Sequence, residues 1–210
     1  RYFEPGNEVT TVDFLGKKLG ITVCEDIWND KSYWDRPKYE FDPIERLKEQ
    51  DIDAIINISA SPFSLNKEKE RFDVIKNIAN KYKLPIIYVN QAGGNDDLLF
   101  DGISFVIDSN GQLKARCGDF KEDLIIYSLN TNFGEIHKIS DSEEKSLFKA
   151  LRMGLKDYCN KVGFRKVILG LSGGIDSAVT AAIAAYSIGS ANVIGITMPS
   201  MYSSKGSVKD

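Results

Sequence analysis

The chain has 210 residues, 42% hydrophobic and 27% charged, a composition ordinary for a globular protein and enough for one large domain or two small ones. A formal net charge of −3 argues against nucleic acid as a partner, and no apolar run approaches the roughly 18–20 residues that cross a bilayer. Three widely spaced cysteines suggest no disulfide framework and fit a reducing, cytoplasmic setting, and a single histidine, His137, excludes a histidine-based metal cluster.

Taken in order, Arg1–Gly6 is an aromatic segment ending in a turn, and Thr11–Phe14 and Lys18–Val23 alternate about Gly16-Lys17 as a hairpin does. The second of these strands runs into Cys24-Glu25-Asp26-Ile27-Trp28. A cysteine where a buried strand meets a loop is a candidate nucleophile, and a buried structural thiol is the alternative. In the polar stretch that follows, Trp34, Tyr39 and Phe41 serve as anchors and Pro43–Gln50 reads as helix. Asp53–Ala60 is an isoleucine-rich strand ending in Ser59-Ala60-Ser61-Pro62. Asn66–Tyr82 has the period of an amphipathic helix, with Phe72, Ile75, Ala79 and Tyr82 on one face and its charges on a solvated one. A strand at Ile86–Asn90, a glycine-rich loop at Asn90–Gly94 and a hairpin of Ile103–Asp108 with Leu113–Arg116 about Ser109-Asn110-Gly111 come next. Asp123–Leu129 reads as a further extended run, and Cys117 and Cys159 read as structural.

Thr131–Ser142 lacks periodicity and ends in a helix-start signal, so a boundary is expected there, dividing residues 1–135 from 136–210. The next helix carries Leu147, Leu151, Leu155 and Tyr158 on one stripe and stops near Gly163. Strand Val167–Leu169, the turn Gly170-Leu171-Ser172-Gly173-Gly174-Ile175-Asp176-Ser177, a helix and strand Val193–Thr197 then make one βαβ unit of a parallel α/β fold. A glycine-rich turn between strand and helix offers backbone N–H groups to a phosphate. Gly170, Gly173 and Gly174 permit positive φ, Ser172 and Ser177 supply hydroxyls, and Asp176 supplies a carboxylate for Mg²⁺. The turn has no lysine, which excludes the common P-loop.

Ser-Gly-Gly-Ile-Asp-Ser resembles the signature of the ATP pyrophosphatases, and its flanks at Gly154–Tyr158 and Met198–Ser204 match that family too. Gly20–Trp28, Asn57–Pro62, Asn90–Gly94 and Asp101–Ser104 resemble the carbon–nitrogen hydrolase (nitrilase) superfamily. Both in this order resemble the glutamine-dependent NAD⁺ synthetase family. The resemblance implies a partial nitrilase-like α-β-β-α sandwich followed by a partial Rossmann-like parallel α/β ATP-pyrophosphatase domain. It implies Cys24 as the nucleophile that releases ammonia from glutamine, Ser61 and Lys67 as glutamine contacts, and the backbone N–H of Glu25 as an oxyanion donor. Gly170–Ser177 is implied to bind ATP, with Mg²⁺ on Asp176, while the carboxylate of deamido-NAD⁺ is adenylated and then amidated.

The same resemblance implies a Glu and a Lys of the catalytic triad upstream of Arg1, a homo-oligomer in the full-length protein, and a 210-residue piece inactive on its own. Two alternatives stand beside it: another ATP-pyrophosphatase amidotransferase, which pairs the same loop with a different glutaminase, and a regulatory protein with a degenerate amidase domain. A Glu and a Lys upstream decide against the second.

Overall fold

Apolar runs rich in isoleucine, too short and too β-branched for helix, pair edge to edge to build the main sheet. The computed structural model describes residues 6, 8–29 and 42–198. Its elements begin with β1 (Thr10–Phe14) and β2 (Lys17–Val23), followed by a 3₁₀ turn at Cys24–Trp28, α1 (Pro43–Lys48), β3 (Ala54–Ser59), α2 (Lys67–Tyr82) and β4 (Ile86–Asn90). Then come β5 (Ala92–Asn95), β6 (Leu98–Asp101), β7 (Phe105–Ile107), β8 (Leu113–Arg116), β9 (Tyr127–Ser128) and β10 (Phe133–Gly134). The chain ends in α3 (Glu143–Val162), β11 (Val167–Leu171), α4 (Ile175–Ile188) and β12 (Val193–Thr197). The expected turn at Arg1–Gly6, the anchors Trp34, Tyr39 and Phe41, and the flank beyond Met198 lie outside the described residues, Gly6 apart.

The chain divides into two compact units, one of Arg1–Ala92 with Phe100–Ser140 and one of Gly93–Leu99 with Asp141–Asp210. In the first, six strands lie in the order β1-β2-β3-β4-β7-β8. The expected hairpin is there: β1 and β2 are antiparallel and turn at Leu15-Gly16, both with positive φ. β2, β3 and β4 run parallel, so their C-terminal ends share one edge, and β7 and β8 add antiparallel pairings.

One face of this sheet is covered by α1 and α2, with Ile44, Leu47, Ile55, Val74, Ile75, Ile78, Ile86 and Ile107 in the core. Gly20 sits where Leu47 and Ile52 press on the sheet; a Cβ there would lie 2.8 Å from Ile52 Cδ1. The other face carries Val23, Ile58 and Val89 in one row across three strands, all exposed. The small hairpin of β5 and β6 was not expected, because Ala92-Gly93-Gly94-Asn95 has neither alternation nor strand propensity. The extended run at Asp123–Leu129 reduces to β9, paired with β10.

In the second unit Ser142 caps α3, its Oγ accepting from the Lys145 amide at 3.3 Å, and Gly163 ends it in a left-handed conformation at φ 80°. β11 and β12 are parallel and joined through α4. Tyr186 on α4 meets Phe148 of α3 edge to face, ring centres 5.4 Å apart. The stripe read from α3 is not the face it buries. Leu147, Leu151 and Tyr158 are exposed, and Ala150, Met153 and Cys159 are the buried residues.

Candidate active site

Parallel pairing brings the chain segments leaving β2, β3 and β4 to one edge of the first sheet, and each carries residues singled out in the sequence. Cys24 follows β2 and opens the 3₁₀ turn with φ +48°, a left-handed backbone that a non-glycine residue seldom adopts and that clusters at functional sites. The turn is closed by Asp26, whose carboxylate accepts from the Val23 amide at 2.8 Å. Cys24 is partly exposed, while Cys117 and Cys159 are buried; burial pushes the Cys117 thiol up, as an inert structural cysteine requires.

Beneath Cys24 lies a buried polar chain. The Asn57 amide donates to Thr22 Oγ1 at 2.9 Å and to the Cys24 carbonyl at 3.4 Å, and Ser59 Oγ donates to Asn57 Oδ1 at 2.6 Å. On the sheet, Thr22, Asn57 and Tyr88 form one row across β2, β3 and β4.

Ser61 follows β3 and is held at both backbone atoms. Its amide donates to Asn90 Oδ1 at 2.9 Å, and its carbonyl accepts from Asn90 Nδ2 at 3.4 Å and from Arg71 Nη1 at 3.5 Å. Arg71 is fully buried and paired with the equally buried Asp101, whose other oxygen accepts from Asn90 at 3.2 Å. The expected solvated face of this helix is thus broken at Arg71, which points into the core because Asp101 neutralises it there. Lys67, at the start of the same helix, pairs with Glu70 at 2.9 Å and lies 4.5 Å over the Trp28 ring. Lys67 is thereby brought against the turn that Cys24 opens. Trp28 is itself buried in the core, as a packing residue.

Asn57, Asn90, Arg71 and Asp101 were not singled out as site residues. A buried-strand sequence interrupted by asparagine, Ile-Ile-Asn-Ile, is the signal for Asn57. Nothing local marks Arg71, whose partner lies thirty residues on.

In the second unit Gly170 and Leu171 are the last residues of β11, and Ile175, Asp176 and Ser177 open α4. Of the three glycines, only Gly173 uses positive φ, at 75°; Gly174 is the extended N-cap residue. The turn is laced by its serines: Ser177 Oγ donates to the Gly174 carbonyl at 2.9 Å and accepts from the Ser172 amide at 3.3 Å. Ser172 Oγ accepts from the Gly174 amide at 3.3 Å. All these residues face solvent except partly covered Leu171 and Ser177. The donors are hard oxygens with one carboxylate, Asp176. Among the described residues no group of three or more His, Cys, Asp or Glu could hold a metal by itself. This fits Mg²⁺ bound through one carboxylate and a nucleotide's phosphates, and does not fit a cage built by protein alone.

Residues 1–136 match the carbon-nitrogen hydrolase family, and the chain, more than half of which is covered, belongs to it. Residues 147–210 match NAD synthase. The chain is similar, along its whole length, to a glutamine-dependent NAD(+) synthetase of Synechocystis sp., 44% identical and matched over 38% of that protein. It is similar also to one of Thermotoga maritima, 34% identical and matched over 41% of it. The solved glutamine-dependent NAD+ synthetase of Acinetobacter baumannii, in complex with ADP, superposes with a TM-score of 0.86 at 35% identity over 99% of this chain and 38% of that one. The chain thus spans about two fifths of the relatives' length. The enzyme of Cytophaga hutchinsonii, at 20% identity and a TM-score of 0.61 over 87% of this chain and 30% of that one, shares the fold. The expected fold class holds: a nitrilase-like α/β first unit and a parallel α/β second one. No described helix is long and apolar enough to cross a membrane.

Proposed function

We propose that the full-length protein makes NAD⁺ from deamido-NAD⁺ with glutamine as amide donor, residues 1–135 contributing to the glutaminase and 136–210 to the synthetase. One observation carries the reading: a cysteine at a left-handed strand end and a Ser-Gly-Gly-Ile-Asp-Ser turn between strand and helix occur in one polypeptide, in the order of the synthetase relatives. Cys24 attacks the side-chain amide carbon of glutamine. The C–N bond breaks, ammonia leaves, and water hydrolyses the thioester to glutamate. The Glu25 amide stabilises the oxyanion. Ser61 orients the substrate, and Lys67 offers its ammonium to the glutamine α-carboxylate. The Glu and Lys of the triad are assigned to no residue of this chain.

At the second site the N–H groups and hydroxyls of Ser172–Ser177 hold the pyrophosphate end of ATP, with Gly170 and Leu171 setting the approach. The nicotinate carboxylate attacks the α-phosphate, pyrophosphate departs, and ammonia displaces AMP. Asp176 would hold Mg²⁺, which supplies charge neutralisation on the leaving pyrophosphate when bound. The proposal includes a homo-oligomer in a cytoplasmic setting, and the three free cysteines support a reducing compartment. The products test it. Full-length protein given glutamine, ATP and deamido-NAD⁺ is expected to release AMP and pyrophosphate in step with NAD⁺, and release of ADP and phosphate instead would contradict adenylation.

A further inference from the structure

We infer that Asn57 is a positioning residue that sets the Cys24–Glu25 peptide so that its N–H faces the oxyanion; this rests on the reading of Cys24 as the nucleophile. Asn57 is fully buried in an otherwise isoleucine-rich strand. A polar group there is disfavoured unless each of its atoms is matched, and here each is. The Cys24 carbonyl can only accept, so the amide nitrogen of Asn57 must be the atom that faces it. The same nitrogen donates to Thr22 Oγ1, and Ser59 Oγ donates to Oδ1, which fixes the plane of the side chain.

The consequence follows from peptide geometry. In a planar trans peptide the C=O and the following N–H point in opposite directions. With the Cys24 carbonyl drawn toward Asn57, on the buried face of the sheet, the Glu25 N–H points away from that face. The left-handed φ of +48° at Cys24 is the backbone setting that accompanies this orientation. A strained setting of this kind persists only where its surroundings over-determine it. Asn57 acts from the carbonyl side and Asp26, through the Val23 amide, from the other. Without Asn57 the peptide is left to the 3₁₀ turn and to Asp26, and an amide that turns away from the reacting centre gives no stabilisation to the charge that develops there.

The test uses the full-length protein with Asn57→Leu and Asn57→Ala, which remove the donor at different volumes. Glutamine-supported kcat should fall about 10²-fold, the effect of losing one oxyanion donor. The KM for glutamine, ammonia-supported NAD⁺ formation and the rate at which iodoacetamide alkylates Cys24 should stay within about threefold, because none of them uses the oxyanion peptide. Glutamine-supported kcat within a few-fold of wild type in both variants would overturn the inference. So would a parallel loss of ammonia-supported rate or of Cys24 alkylation in both, which marks Asn57 as merely structural. Cys24→Ala, run alongside, separates the two layers: glutamine-supported turnover that survives it refutes the nucleophile itself.

Discussion

His137 shows how much a single side chain can tie together. Its Nδ1 lies 2.6 Å from Asp123 Oδ2, and the same carboxylate accepts from the Gly118 amide at 2.7 Å. Around it stand Glu135 on the other ring nitrogen, Lys121 beside Asp123, and Arg116, which donates to the His137 carbonyl. The Gly118 amide and then His137 hold the Asp123 carboxyl down to about 2, and the hydrogen bond to Asp123 raises His137. The Asp123 contribution to stability is therefore complete above the ordinary carboxylate range and fades as pH falls toward about 2. The His137 contribution is complete below its ordinary value of about 6.5 and fades as pH rises through the raised one. Urea midpoints of the wild type should drop between pH 6 and pH 9 by more than those of His137→Gln. Parallel pH profiles would show that the pair does not couple to folding.

Among the elements, α2 teaches the most. Its period is visible in the sequence, and Ile75 and Ala79 are on its buried face as expected. The remainder of that face is Arg71, Val74 and Ile78. Periodicity tells which residues share a face. It does not tell that a cation on it will meet a carboxylate delivered by a strand thirty residues later. Here the Asp101 and Asn90 contacts make Arg71 an anchor between the helix and the Ser61 segment. Arg71→Met leaves Asp101 buried and uncompensated, so unfolding free energy should fall by about 3–5 kcal/mol. A denaturant midpoint unchanged in that variant would mean the pair is not needed. The β5–β6 hairpin and the true face of α3 were illegible for a related reason. Gly94 is held by Asp157 and Lys161, at 2.8 and 2.5 Å, partners more than sixty residues away, and no local pattern announces them.

For the whole molecule, the order of the elements carried the reading furthest. The β1–β2 hairpin, the apolar strands at Asp53–Ala60 and Ile86–Asn90 and the strand–turn–helix at Gly170–Ser177 are all local patterns. They were legible because backbone preference and hydrophobic period agree there. The buried polar layer of Thr22, Asn57, Asn90, Arg71 and Asp101 was not, since its members find their partners on separate strands and loops, far apart in the chain. The central claim is that Cys24 generates ammonia which the Gly170–Ser177 site consumes. Its most direct test is Cys24→Ala in the full-length protein, with NAD⁺ formation measured once with glutamine and once with ammonium as nitrogen source. The account predicts that glutamine-supported formation disappears while ammonium-supported formation remains near wild type; loss of both, or survival of the glutamine-supported rate, would contradict it.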